Sequence, residues 1–242
     1  RDGYESDLDR LFVYDISGGT RSWVTEGWTY DVSAINWADE NTLFFSCAHH
    51  GTAQVFRTSM TGKEVSKVTE GVHDLSALSF RSGILVVQQN SMSMAPEVAK
   101  VDVNTGEVRQ ISFINRPIYE SIKMGRVDEK YIKTKDRKDL QMWIIYPPDF
   151  DPSKKYPALL FCEGGPQSAL TQFWSYRWNF QIMAANGYIV FAPNRRGVAG
   201  FGQEWKEQIS GDYGGLNMQD YLDATDAMAK EPYVYASRLG AV

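Results

Sequence analysis

The sequence predicts two fold classes in succession: blades of a β-propeller over residues 1–118, then the first part of an α/β domain over residues 119–242. Three observations carry this. Short strands without helical period fill the first half, and a repeat of about 44 residues runs through them. After Ser121 the pattern changes to buried strands alternating with helices.

The first-half strands are predicted at residues 11–16, 43–47, 53–58, 84–88 and 98–103. Each is rich in β-branched or aromatic side chains and bounded by Gly, Asn, Asp or Ser. The repeat is visible in three copies. Val13-Tyr14-Asp15-Ile16-Ser17-Gly18-Gly19 leads to Val24-Thr25-Glu26-Gly27. Val55-Phe56-Arg57-Thr58-Ser59-Met60-Thr61-Gly62 leads to Val68-Thr69-Glu70-Gly71. The third copy starts at Val98, turns at Thr105-Gly106 and leads to Val108 and Ile111. Gly62 and Gly106 are 44 residues apart, as are Gly27 and Gly71. Four strands in this span make a propeller blade, with glycine at hairpin positions that need positive φ. Only two to three blades are present, fewer than a closed propeller uses. An ordinary β-sandwich with coincidental spacing is the competing reading.

In the second half, residues 130–133 and 142–146 read as an edge hairpin. Residues 158–162 form a continuous apolar run, as in a strand covered on both faces. A helix is predicted over 178–186, stopped by Asn186-Gly187, and a buried strand over 188–192. A second helix is predicted over 216–230, with Leu216, Tyr221, Leu222, Thr225 and Met228 at helical spacing and Glu231-Pro232 ending it. A last strand starts at Arg238. This order is doubly wound and incomplete.

A net charge of −5 argues against nucleic acid as the main partner. No apolar run reaches the roughly 18 residues of a membrane span, and the first residues lack the pattern of a signal peptide. The two cysteines, Cys47 and Cys162, fall in different halves, so no disulfide framework is expected and the compartment stays open.

The chemistry concentrates where the apolar strand runs into Gly164-Gly165-Pro166. A loop without side chains at a strand's C-terminal end lets backbone N–H groups approach a substrate oxyanion, although a plain strand-to-helix turn has the same look. Further on come Asn194-Arg195-Arg196-Gly197, Gly200-Phe201-Gly202, Gly211-Asp212-Tyr213-Gly214-Gly215 and Arg238-Leu239-Gly240. In this order the segments resemble the catalytic domain of the prolyl oligopeptidase family. Glu163-Gly164-Gly165-Pro166-Gln167 and the Asn-Arg-Arg-Gly variant look most like its acylaminoacyl-peptidase branch, of the dipeptidyl-peptidase V type.

The resemblance implies an α/β-hydrolase domain behind a propeller and a serine peptidase acting on short peptides through an acyl-enzyme. It implies no metal and no cofactor, and it favours a periplasmic or secreted location, with a cytoplasmic one open. No Gly-x-Ser-x-Gly occurs, and His49, His50 and His73 all lie in the first half. The resemblance therefore places the catalytic Ser, Asp and His beyond Val242 and leaves this chain inactive alone. Its partners are expected to be the rest of its own polypeptide or a second copy in a homodimer.

Gly164 and Gly165 are the oxyanion-loop candidates. Glu163, Arg195, Arg196 and Trp174 are candidates for the substrate pocket, with Glu163 held by one of the two arginines. Trp174 belongs to an aromatic stretch, 173–180, that lines a specificity pocket or packs against the propeller. His49 and His50 are expected as a surface pair pointing to opposite faces, Asp220 and Asp223 as a solvated helix face, and Ser210 as a loop residue. The rivals are an esterase-type α/β-hydrolase and a non-catalytic propeller binding protein.

Overall fold

Residues 4–61 and 64–242 are described by a computed structural model. The hairpin glycine Gly62 lies outside the described residues. The chain starts with a two-stranded hairpin, β1 (Phe12–Asp15) and β2 (Thr20–Trp23). An antiparallel four-stranded meander follows: β3 (Ser33–Trp37), β4 (Thr42–His49), β5 (Thr52–Ser59) and β6 (Ser66–Lys67). A second meander consists of β7 (Asp74–Arg81), β8 (Ile84–Ser91), β9 (Met94–Val101) and β10 (Val108–Gln110). A single parallel bridge, Ala53 opposite Asp74, joins them into one eight-stranded sheet, which does not close on itself among the described residues.

The repeat in the sequence is a repeat of hydrogen bonds. The N–H of Leu11 donates to Thr25 Oγ1 at 3.0 Å, that of Val55 to Thr69 Oγ1 at 3.0 Å, and that of Val98 to Ser112 Oγ at 2.7 Å. In each copy the carbonyl of the same residue accepts two N–H groups in return, from residues 24 and 25, 68 and 69, and 111 and 112. The outer strand is thereby clamped to the one before it. Both meanders also carry a bulge at the same place, with Ala34 at φ 46 and Ala77 at φ 49. Of the expected hairpin glycines, Gly19 and Gly106 have positive φ. Side-chain alternation explains the packing. Leu43, Phe45 and Cys47 on one face of β4 join the core with Leu11 and Val24, while Phe44 on the other joins Leu75 and Leu85.

A short helix, α1 (Arg116–Ser121), spans the expected boundary at 118/119 and was not anticipated; none of its residues is buried. The second sheet has the order β11 (Val127–Lys133), β12 (Asp139–Ile145), β14 (Ile189–Pro193), β13 (Tyr156–Leu160), β15 (Val234–Ala241). Its first three strands are antiparallel neighbours; β14, β13 and β15 run parallel. On one face α2 (Phe180–Ala185) packs against Trp143 and Ile145; on the other α4 (Leu216–Ala229) packs against Leu140, Met142 and Ile144. The last strand begins four residues before the predicted Arg238, because Val234 pairs with Tyr156 ahead of a bulge. The two sheets meet through polar contacts. Trp143 Nε1 donates to Gly51 O and Leu170 O, at 3.1 and 3.2 Å. Buried Asp74 accepts from Thr171 Oγ1 (2.6 Å) and the Gln172 N–H (3.0 Å).

Candidate active site

Strands β13 and β15 extend side by side beyond their regular ends: Val242 N donates to Leu160 O (3.0 Å) and Cys162 N to Val242 O (2.8 Å). The chain then leaves β13 through Glu163, Gly164, Gly165 and Pro166. Gly165 sits at φ +117, where only glycine is at ease, and a Cβ there would lie 2.5 Å from Ser168 Oγ. Gly164 and Gly165 are exposed, and among the described residues neither donates its N–H to a protein acceptor.

The motif after β14 holds this loop from behind. Asn194 is enclosed and ties residue 170 from both sides, accepting the Leu170 N–H (2.7 Å) and donating to Leu170 O (2.8 Å). Arg195, only 2% exposed, donates through Nη2 to Glu163 O (3.2 Å) and Pro166 O (2.7 Å). Its Nε donates to Tyr221 Oη (3.2 Å), and Tyr221 in turn donates to Glu163 O (3.3 Å). Gly197 leaves room for this guanidinium, because a Cβ there would stand 2.9 Å from Arg195 Nη1.

Arg196 turns the other way. Its Nε and Nη2 donate to Asp220 and its Nη1 to Asp136, at 3.0, 2.5 and 2.6 Å. Burial opposes its charge, but these carboxylates outweigh it and hold the guanidinium above its ordinary pKa. Three expectations are corrected here. Asp220 and Asp223 are not a solvated face: both are buried on α4, Asp220 against Arg196 and Asp223 accepting the Lys135 N–H at 2.7 Å. Leu216 and Leu222, counted in the apolar spacing, are exposed instead. The pairing of Glu163 with an arginine is also corrected: Arg195 meets the Glu163 carbonyl, not its carboxylate. That half-buried carboxyl is raised above its usual pKa by burial, partly offset by the nearby Arg195 charge.

Two cavities border the loop and share Ser168. One, about 400 Å³, is lined by Glu163, Gly164, Gly165, Arg177, Trp178 and Val242, among others. The other, about 460 Å³, opens between the sheets and is lined by Trp174, Phe173, Gln167, Asp74 and Asn90, among others. Trp174 Nε1 is buried and has no hydrogen-bond partner among the described residues. Within the aromatic stretch Phe180 is core, in one cluster with Met92, while Trp174 and Trp178 line cavities. A larger cavity of about 590 Å³ lies in the first half, far in sequence from the loop motifs, and contains no histidine or cysteine.

His49 and His50 do not point apart. Left-handed His50 (φ 48) brings the two rings to 4.4 Å. Burial first, then His50 and Lys67, depress the His49 pKa to about 4. Among the described residues no three His, Cys, Asp or Glu side chains form a metal-binding group. Ser210 is exposed in a turn, with its Oγ 3.0 Å from Ser6 Oγ. Sequence reasoning missed Tyr221 and Asn194 as loop supports; the Asn-Arg-Arg-Gly signature was the available signal.

Comparison with known proteins agrees with this arrangement. Residues 174–242 match the sequence profile of the prolyl oligopeptidase family. The whole chain aligns at 43% identity over 243 residues with dipeptidyl-peptidase 5 of Porphyromonas gingivalis, covering 36% of that protein. It aligns at 41% with dipeptidyl-peptidase 5 of Porphyromonas endodontalis, again over all of this chain and 35% of the relative. The acylaminoacyl peptidase of Pyrococcus horikoshii superposes with a TM-score of 0.84 at 22% identity, over 99% of this chain and 37% of that one, so the fold is shared. The chain spans about a third of the length of the curated relatives it matches. With its loop, its arginine motif and its fold all in family order, the chain belongs to the prolyl oligopeptidase family.

Proposed function

We propose that this chain is part of a serine peptidase that removes dipeptides from short peptides through an acyl-enzyme, with no metal or cofactor. The observation that carries the reading is the loop at the joined ends of β13 and β15. Gly164 and Gly165 present N–H groups without protein acceptors among the described residues, in a chain aligned end to end with dipeptidyl-peptidase 5. Such donors, fixed before the reaction, stabilise the tetrahedral oxyanion. The nucleophilic serine, with its aspartate and histidine, is assigned to polypeptide beyond Val242, so these 242 residues alone are inactive. Residues 1–118 are read as propeller blades and residues 119–242 as the first part of an α/β-hydrolase domain. The four-stranded meanders and the parallel strands with helices on both faces support that division. The propeller restricts entry to short peptides.

Glu163 and Trp174 are assigned as pocket walls, whereas Arg196 lines neither cavity and is assigned a structural role through Asp136 and Asp220. Replacing Glu163 with Gln in the full-length protein should lower kcat/KM about tenfold, the value of one hydrogen bond to a charged group. An unchanged rate would remove Glu163 from contact with substrate. The decisive test is fluorophosphonate labelling of the full-length protein with analysis of the released products. Labelling together with dipeptide release supports the reading. Labelling with ester cleavage only would make the protein an esterase, and absence of both would reject hydrolysis.

A further inference from the structure

We propose that Arg195 is the positioning residue of the oxyanion loop and that its buried positive charge biases the loop toward holding negative charge. This rests on the reading of Gly164 and Gly165 as oxyanion donors.

The geometry brackets the two glycines. A single guanidinium nitrogen, Nη2, binds the carbonyls on either side of them, Glu163 O and Pro166 O. Tyr221, itself bound by Arg195 Nε, adds a third bond at Glu163 O. Holding both flanking carbonyls fixes which way the intervening peptide planes, and so their N–H groups, can face. Glycines supply no side chain to do this themselves, so the order must come from a neighbour.

The second observation is the company that the charge keeps. Two adjacent arginines are enclosed, yet they are treated oppositely. Arg196 meets two carboxylates. Arg195 has only neutral acceptors among the described residues: the carbonyls of Glu163, Pro166 and Arg196, and the Tyr221 hydroxyl. Enclosing a cation bonded to no carboxylate is costly, which makes it an unusual choice for a purely structural clamp; the half-buried Glu163 carboxyl feels this charge without bonding to it. Behind an oxyanion loop the charge has a use, because further negative charge arrives with the tetrahedral intermediate. Positive charge placed there acts without reorganising at the moment of reaction.

The test uses the full-length protein with Arg195→Met, Arg195→Lys and Tyr221→Phe, a chromogenic dipeptidyl substrate, a dipeptide boronic acid and the product dipeptide. Arg195→Met should lower kcat about 10²-fold, the usual cost of a misplaced catalytic group, with KM within about threefold. Boronate affinity should fall in parallel while product affinity holds. Arg195→Lys, which restores the charge but not the fork, should recover part of kcat. Hydrogen exchange at residues 163–166 should quicken in Arg195→Met, a readout independent of catalysis. Retained kcat, or equal losses of boronate and product binding, would overturn the proposal. If Arg195→Met does not fold, Tyr221→Phe removes one bond to the same carbonyl and must still lower kcat; an unchanged kcat there is equally fatal. A wild-type protein that neither takes the fluorophosphonate nor releases dipeptide would instead sink the peptidase reading. The exchange measurement would then decide the positioning role by itself.

Discussion

Asp220 is wholly enclosed on α4 and meets Arg196 through both carboxylate oxygens. Removing Asp220 leaves the enclosed guanidinium with only the more exposed Asp136 as its carboxylate partner. Asp220→Ala should therefore cost roughly 3–5 kcal/mol, read as a drop in thermal midpoint. The double change Arg196→Met with Asp220→Leu should recover a good part of that loss; a double variant no better than the single would contradict the argument. Asp74 makes a prediction of opposite character. Burial, only partly offset by bonds from Thr171, Gln172 and Ala53, raises its pKa from 3.8 to about 6. The folded chain then binds the Asp74 proton more tightly than the unfolded chain does. Its contribution to stability is largest at pH about 4 and below, declines as pH rises toward about 6, and is level above that. Asp74→Asn keeps an acceptor and abolishes the titration. The midpoint of wild type minus that of the variant should fall between these limits; a difference constant in pH would refute the assignment.

At the scale of elements, the hydroxyl clamps joining each outer strand to its predecessor are the repeated unit. Thr69→Val removes the hydroxyl that accepts the Val55 N–H and leaves that buried donor unpaired. A loss of about 1–3 kcal/mol is expected from denaturant unfolding. The loop after β13 depends on a backbone that L side chains rarely adopt. Gly165→Ala combines φ +117 with a clash at Ser168, so it should displace the loop. In the full-length protein kcat should fall at least tenfold with little change in KM; an unaffected kcat would show that the loop is not part of the catalytic apparatus. The Gly211-Asp212-Tyr213-Gly214-Gly215 segment acts at this scale too. Asp212 Oδ2 accepts the Leu216 N–H at 3.0 Å and so starts α4, which carries Asp220 and Tyr221 to the arginines.

At the scale of the whole molecule, the two sheets are tied by hydrogen bonds more than by a shared apolar core. Lys206 Nζ reaches Asp31 at 2.9 Å, and His50 N reaches Gly200 O at 2.9 Å. Gly200 permits this approach: a Cβ there would come within 3.3 Å of the Ala48 backbone. Among the described residues strand β15 pairs only with β13; it is mostly exposed, and Met218 and Leu222 project from α4. An open parallel edge beside apolar side chains recruits a further strand. These 242 residues produced alone should therefore self-associate with rising concentration in light scattering. A monodisperse, cooperatively unfolding monomer would count against that prediction.

The sequence by itself determined what is local. Strand spans came from alternation, the repeat from its 44-residue spacing, the stop of α2 from Asn186-Gly187, and the loop from glycine placement. These features depend on neighbours within a few residues or on identical copies of one unit, so the order of residue types contains them. The tertiary structure alone decided which polar groups meet. Asp220 looked like a solvated residue because nothing in its helix shows Arg196, 24 positions earlier, arriving across the sheet. Glu163 and Arg195 looked like an ion pair because opposite charges near one loop suggest it. Only coordinates reveal that the carbonyl, and not the carboxylate, lies within reach. Local pattern reports the average environment of a segment, whereas burial of charge depends on single partners brought together by the path of the chain.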